Sequence, residues 1–265
     1  MGETITGTAA GVPFTALPPA DDATGPVPLV VTWHMMDAPC TDAAFAAALP
    51  MAGVPAWRVH LGLPMCGPRT PAGGTDVVKA LVLRDAVLAY LEPITRQAAE
   101  EFPAALAELR RRLPVDGGPI GVVGGSLGGA VALRVLAGGQ VAVAAAAVVN
   151  AAVRARSVVG MVEEATGQPY PWGEESRAAA DRLDFVARAA DIAAPLLVVS
   201  GELDVPALRA DAADLVEALR GHARLLSVPG LAHPLAEQPG LEPAPQTPTA
   251  KVVDEALTDW FALHL

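Results

Sequence analysis

Residues 119–137 read PIGVVGGSLGGAVALRVLA, and this stretch decides the fold. Pro119 to Gly125 is an apolar run without alternation, the pattern of a strand buried on both faces. Ser126 follows at once, and Leu127 to Ala137 reads as a helix ending at Gly138. Glycines stand two before the serine, at Gly124, and two after it, at Gly128. That is the Gly-x-Ser-x-Gly spacing of a strand–turn–helix elbow. The turn is so tight that the two flanking positions approach each other, and side chains there would clash. It lifts the Ser126 hydroxyl out of the sheet and sets the Leu127 amide at a helix N-terminus, where a developing negative charge is stabilised. Other glycine motifs fail by counting. A dinucleotide loop needs glycines at i, i+2 and i+5, and a phosphate loop needs Lys after its last glycine, where this chain has Ala130.

Outward from that stretch the same kind of run recurs at Val27–Trp33, Ala56–Gly62, Val141–Asn150, Pro195–Gly201 and Ala223–Gly230. The alanine-rich part of Val141–Asn150 suits a helix equally well. Helical patterns fill the gaps. Thr41 or Asp42 caps one, Pro206–Arg220 opens on a proline, and Thr249–His264 carries apolar residues at helical spacing. Alternating strands and helices predict a three-layer α/β domain, residues 1–265 forming one unit. Residues 3–19 read as a hairpin at the sheet edge. Two excursions exceed a simple crossover. The segment 74–113 is expected to break at Pro93 and Pro103 into two or three helices. The segment 153–191 holds the turn-rich QPYPWGEES and is expected to form a lid.

Two later loops offer partners for a serine nucleophile, which needs a base and an anion to orient that base. Gly201-Glu202-Leu203-Asp204-Val205-Pro206 follows one strand, and Gly230-Leu231-Ala232-His233 follows the next. Both stand beyond strand C-termini, where parallel sheets place their sites. In the order Ser126, Asp204, His233 the chain resembles the α/β-hydrolase superfamily, from about Val27 to Leu265. The resemblance implies a mostly parallel eight-stranded sheet with helices on both faces and a small helical lid after the sixth strand. It implies Ser126 as nucleophile, His233 as base and Asp204 as orienting acid, with Glu202 the alternative acid. The backbone N–H groups of Leu127 and Met36 are the implied oxyanion donors, with Met35 the alternative to Met36. Relatives carry His-Gly-x after the first buried strand, and this chain reads His34-Met35-Met36.

The implied activity is cofactor-free hydrolysis of a carboxylic ester through an acyl-enzyme. Thioester cleavage, biosynthetic acyl transfer or perhydrolase-like use of the same residues, and non-catalytic ligand binding, are the alternatives. Met35, Met161, Tyr170 and Trp172 are candidates for the substrate pocket. His34 reads as a hydrogen-bonding support under the oxyanion loop and His60 as a core group.

Composition limits partners. Lys plus Arg number 18 against 29 Asp plus Glu, a formal charge of −11. An acidic chain without a basic block repels nucleic acid and anionic membranes. The richest apolar run, Val141–Val153, is interrupted by Asn150 and is shorter than the roughly 20 residues of a membrane span. The opening MGETITGTAAG lacks the basic and apolar regions of a secretory signal. Gly2 with Thr6 meets a short myristoylation pattern by chance, without a second anchor. Cys40 and Cys66 lack zinc-site spacing and read as reduced thiols. These features suggest a cytoplasmic monomer or homodimer acting on a small molecule, with no metal and no organic cofactor.

Overall fold

The computed structural model describes residues 3–20 and 25–265; Gly2 lies outside them. Eight strands form one sheet: β1 (Ile5–Ala9), β2 (Val12–Leu17), β3 (Leu29–Trp33), β4 (Trp57–Leu61), β5 (Ile120–Gly125), β6 (Val143–Val149), β7 (Leu196–Gly201) and β8 (Ala223–Val228). Their order is β1-β2-β4-β3-β5-β6-β7-β8. β2 runs antiparallel to β1 and β4, and the remaining pairings are parallel. The N-terminal hairpin turns through Ala10 and Gly11, both at positive φ, the geometry a two-residue hairpin turn requires. The sheet is thus mostly parallel, and the chain has the α/β-hydrolase fold.

Every residue of β3, β4, β5 and β7 is buried, which is why β3, β5 and β7 read as nearly unbroken apolar runs, while β4 buries Arg58 and His60 among its apolar residues. The alanine-rich run is strand β6, held by β5 on one side and β7 on the other. β8 departs from the buried pattern. It is the edge strand, and Arg224, Leu225 and Ser227 are exposed.

Helices α1 (Asp42–Ala48) and α8 (Pro248–His264) cover one face through Phe45, Leu257 and Phe261. On the other face lie α3 (Glu92–Arg112), α4 (Ser126–Gly138) and α7 (Pro206–Ala218), contributing Phe102, Val131 and Leu215. Thr41 caps α1, its hydroxyl accepting from the Ala44 amide at 3.1 Å.

The segment before β5 folds as α2 (Thr75–Arg84), a π-helical turn at Ala86–Leu91, and α3. Pro93 occupies the first turn of α3, but Pro103 lies inside the helix and does not end it. An interior proline costs about 3 kcal/mol. Ile94, Phe102, Leu106 and Leu109 are buried on the same helix, and each large apolar side chain returns about 1.5–3 kcal/mol, which outweighs that loss. Ala99, whose carbonyl the proline leaves without its helical partner, is only partly buried.

Between β6 and β7 stand α5 (Ala155–Thr166) and α6 (Glu174–Arg182). They pack on the π-helical turn through Val159 and Ala179 against Ala86 and Val87. Arg154, at the start of α5, donates to Asp211 at 2.6 Å and Asp214 at 2.7 Å, fastening this excursion to α7. Among the described residues no helix is long and apolar enough to cross a membrane.

Candidate active site

β5 ends at Gly125 and α4 begins at Ser126 with nothing between. Ser126 has φ +47°, a left-handed conformation uncommon for a residue with a side chain. The glycine spacing has a direct steric cause. A Cβ on Gly124 would lie 2.1 Å from the Gly128 carbonyl oxygen, and one on Gly128 would lie 2.3 Å from that of Trp33. Gly128 therefore closes the elbow and also admits the loop after β3.

Three side chains from three strand ends meet above this turn. Ser126 Oγ lies 2.8 Å from His233 Nε2. His233 Nδ1 lies 2.8 Å from Asp204 Oδ1. That carboxylate oxygen also accepts from the Val205 amide at 2.7 Å, and Asp204 is buried. Burial lowers the His233 pKa, but the hydrogen bond and charge of Asp204, joined by Asp37, outweigh it and hold the imidazole above its ordinary value. Glu202 points elsewhere: its carboxylate accepts from Ser227 Oγ at 3.3 Å on the exposed side of β8.

His34 is fully enclosed. The Leu63 amide donates to its Nε2 at 3.0 Å, so the ring proton sits on Nδ1 and is donated to the Met35 carbonyl at 2.6 Å. Burial lowers its pKa to about 4 and keeps it neutral. Fixing the Met35 carbonyl fixes the plane of the next peptide bond, so the Met36 N–H is turned away from His34. The Leu127 N–H lies in the first turn of α4, where amides have no partner within the helix. His60 hydrogen-bonds with Thr32 Oγ1 at 2.8 Å inside the sheet, and burial lowers its pKa to about 3.

A cleft of about 490 Å³ opens beside Met36 and Asp37, walled by Met65, Cys66, Val78, Val82 and Tyr90. Met35 is not in that wall. It is fully buried beneath the elbow, where a Cβ on Gly125 would meet its Cγ at 2.8 Å. Tyr170 and Trp172 are not in it either. Their rings meet edge to face at 4.7 Å, and Arg156 lies 4.8 Å over Trp172. The Tyr170 hydroxyl donates to Asp85 at the head of the π-helical turn. The pair thus packs on the cluster that the π-helical turn forms with Val159 and Ala179, against which Val82 of the cleft wall also packs. Met161 is half-buried on α5, away from the cleft lining. Cys66 stays a thiol: burial pushes its pKa up to about 12.

Two residues at the site belong to no sequence motif. Asn150, just past β6, accepts from the Gly201 amide at 2.8 Å and donates to the carbonyls of Ala232 and His233. Asp37 places its carboxylate 3.6 Å from His233 Nε2. The one available clue was position, since both stand just beyond strand C-termini.

The sequence profile of the prolyl oligopeptidase family, Peptidase_S9, matches residues 94–239, more than half of the 265-residue chain. The chain belongs to the prolyl oligopeptidase family. That family stands within the α/β-hydrolase superfamily, as the sheet and the elbow already indicate. No curated protein matches the sequence. Among solved structures, TT1662 from Thermus thermophilus superposes with a TM-score of 0.65 at 21% identity, covering 98% of each chain. The esterase domain of a Rhodothermus marinus protein superposes at 0.61 and 18% identity, over 100% of this chain and 99% of that one. A puromycin-hydrolysing peptidase of Mycobacterium tuberculosis superposes at 0.69 and 17% identity, over 99% of this chain but 39% of that one. At such identities these likenesses show the fold, which prolyl oligopeptidase family members share with esterases.

Proposed function

We propose that this member of the prolyl oligopeptidase family is a serine hydrolase that cleaves carboxylic esters without a cofactor. The observation that carries the reading is the unbroken chain Ser126 Oγ–His233 Nε2 and His233 Nδ1–Asp204 Oδ1, each link 2.8 Å. Ser126 attacks the ester carbonyl while His233 accepts its proton on Nε2. Asp204 holds the Nδ1–H tautomer and stabilises the imidazolium that forms. The Met36 and Leu127 amides receive the oxyanion, a contribution of about 10²–10³ in rate for each donor. His233 then protonates the departing alcohol, and water, activated by the same histidine, releases the acid from Ser126. In this reading the expected lid, residues 153–191, does not line the cleft but braces the π-helical turn behind its wall.

Amide or peptide cleavage is the second reading, favoured by the family to which the chain belongs. The same steps serve it, with an amine leaving in place of an alcohol. Matched nitrophenyl esters and nitroanilides of one acid separate the two. A fluorophosphonate probe should label Ser126, and Ser126→Ala should abolish labelling and leave less than about one per cent of turnover. Retained labelling in Ser126→Ala, or unlabelled wild-type protein, would remove Ser126 as nucleophile.

A further inference from the structure

We propose that the cleft beside Ser126 selects substrates with an ammonium group a few bonds from the scissile carbonyl, and that Asp37 and Tyr90 form its cation site. The proposal rests on the hydrolase reading above and narrows its substrate class.

Among the described residues, Asp37 is the one carboxylate in the cleft wall. It stands at the end of the cleft nearest the nucleophile, its Oδ2 3.6 Å from His233 Nε2. No described Lys or Arg pairs with it, although most other ion pairs of the structure join arginine to carboxylate. Lys79 is the one cation in the wall among the described residues, and it is exposed and lies 3.7 Å from Asp76 rather than paired with Asp37. Tyr90 is 9% exposed and belongs to the same wall, and its hydroxyl has no hydrogen-bond partner among the described residues. The rest of the near wall is soft and apolar: Met36, Met65 and Val82.

A carboxylate, an aromatic ring and thioethers around one space are the elements that hold a substituted ammonium. The ring quadrupole and the carboxylate both attract it, while the thioethers cover its alkyl groups. Asp37 is exposed, with 56% of its side chain reaching solvent, and no described Lys or Arg pairs with it, so a substrate ammonium entering the cleft meets a carboxylate free to receive it. The formal charge of −11 draws such substrates and repels anionic ones.

Asp37 faces the imidazole too, so it could act on His233 alone. Isosteric substrate pairs separate the two roles, because an effect through His233 is common to both members. One pair carries the charge on the acyl side: the p-nitrophenyl esters of 4-(trimethylammonio)butanoate and 5,5-dimethylhexanoate. The other carries it on the alcohol side: choline acetate and 3,3-dimethylbutyl acetate. For each pair the ratio of kcat/KM is divided by the ratio of hydroxide rates. Wild type should favour the cationic member of at least one pair about tenfold, which corresponds to about 1.4 kcal/mol. Asp37→Asn should bring that ratio close to one, and Tyr90→Phe, which keeps the ring, should retain it. A wild-type ratio near one in both pairs overturns the proposal and leaves the hydrolase reading standing. So does a ratio that Asp37→Asn leaves unchanged, or equal losses on both members. No turnover of any ester together with no fluorophosphonate labelling overturns the hydrolase reading and the proposal with it.

Discussion

The side-chain amide of Asn150 donates to the main-chain carbonyl of His233 at 3.1 Å. The same group donates to Ala232 at 2.8 Å, and its oxygen accepts from Gly201, so one side chain ties the histidine loop to the end of β7. Its φ of +46° is one that asparagine tolerates better than most residues. Asn150→Asp replaces the two-proton donor by an acceptor facing two carbonyl oxygens. The histidine loop should shift, lowering kcat about 10–100-fold with KM nearly unchanged, because geometry at the reacting centre is lost and remote binding is not. Steady-state kinetics with a thermal melt checks this. A variant that loses only stability would show Asn150 to be merely structural.

Asp204 and Glu202 lie two residues apart but face different ways. Asp204→Asn should lower kcat by about 10⁴, since the amide favours the wrong imidazole tautomer. Glu202→Gln should leave kcat within about twofold, because its exposed contact with Ser227 contributes little. The reverse order of damage would reassign the acid.

The pH profile follows from His233. Burial alone would lower its pKa, but Asp204 and Asp37 raise it above the ordinary value of 6.5. Only neutral His233 accepts the serine proton, so kcat/KM should rise with pH through a limb centred above 6.5. Asp37→Asn removes one anion and should move that limb to lower pH. A limb at or below 6.5 in the wild type, or one that does not move in the variant, would show that these charges do not reach the imidazole.

Acyl-length preference should respond to the wall of the cleft and not to the aromatic pair behind it. Val82→Phe fills space beside Met36 and should shift the preferred nitrophenyl ester to a shorter acyl chain. Trp172→Ala should leave the profile unchanged and cost about 1–3 kcal/mol of stability, because it removes packing on the π-helical turn and the contact under Arg156. A changed profile in Trp172→Ala would place the aromatic pair at the substrate after all.

The parts of this molecule that sterics dictate were readable from residues alone. Gly124, Ser126 and Gly128 admit one tight turn, and fully buried parallel strands admit few polar residues. The order of serine, acid and histidine along the chain was equally plain. Side-chain direction in loops was not. Met35 and Met36 are adjacent and chemically alike, yet one lies under the elbow and the other in the cleft, because His34 fixes the peptide between them. Tyr170 and Trp172 turn toward Asp85 and the π-helical turn, residues some eighty positions earlier in sequence. Pro103 looked like a helix end because propensity is local, whereas the buried face of α3 is a tertiary contribution. Asn150 ended an apolar run and resembled simple punctuation.

The loop after β3 and the loop after β8 are laced together by main-chain bonds. The Cys40 amide donates to Gly240 at 2.9 Å and the Leu235 amide to Ala38 at 2.9 Å, with Thr41 Oγ1 bonded to the Leu241 carbonyl. These partners are about two hundred residues apart, and a ribosome makes the earlier one long before the later. Ser126 precedes His233 by 107 residues, so under the proposed function a chain still being synthesised holds the serine before the histidine meant to accept its proton. Under the proposed function, hydrolytic competence therefore waits on the C-terminal part of the chain that these bonds fasten beside the β3 loop.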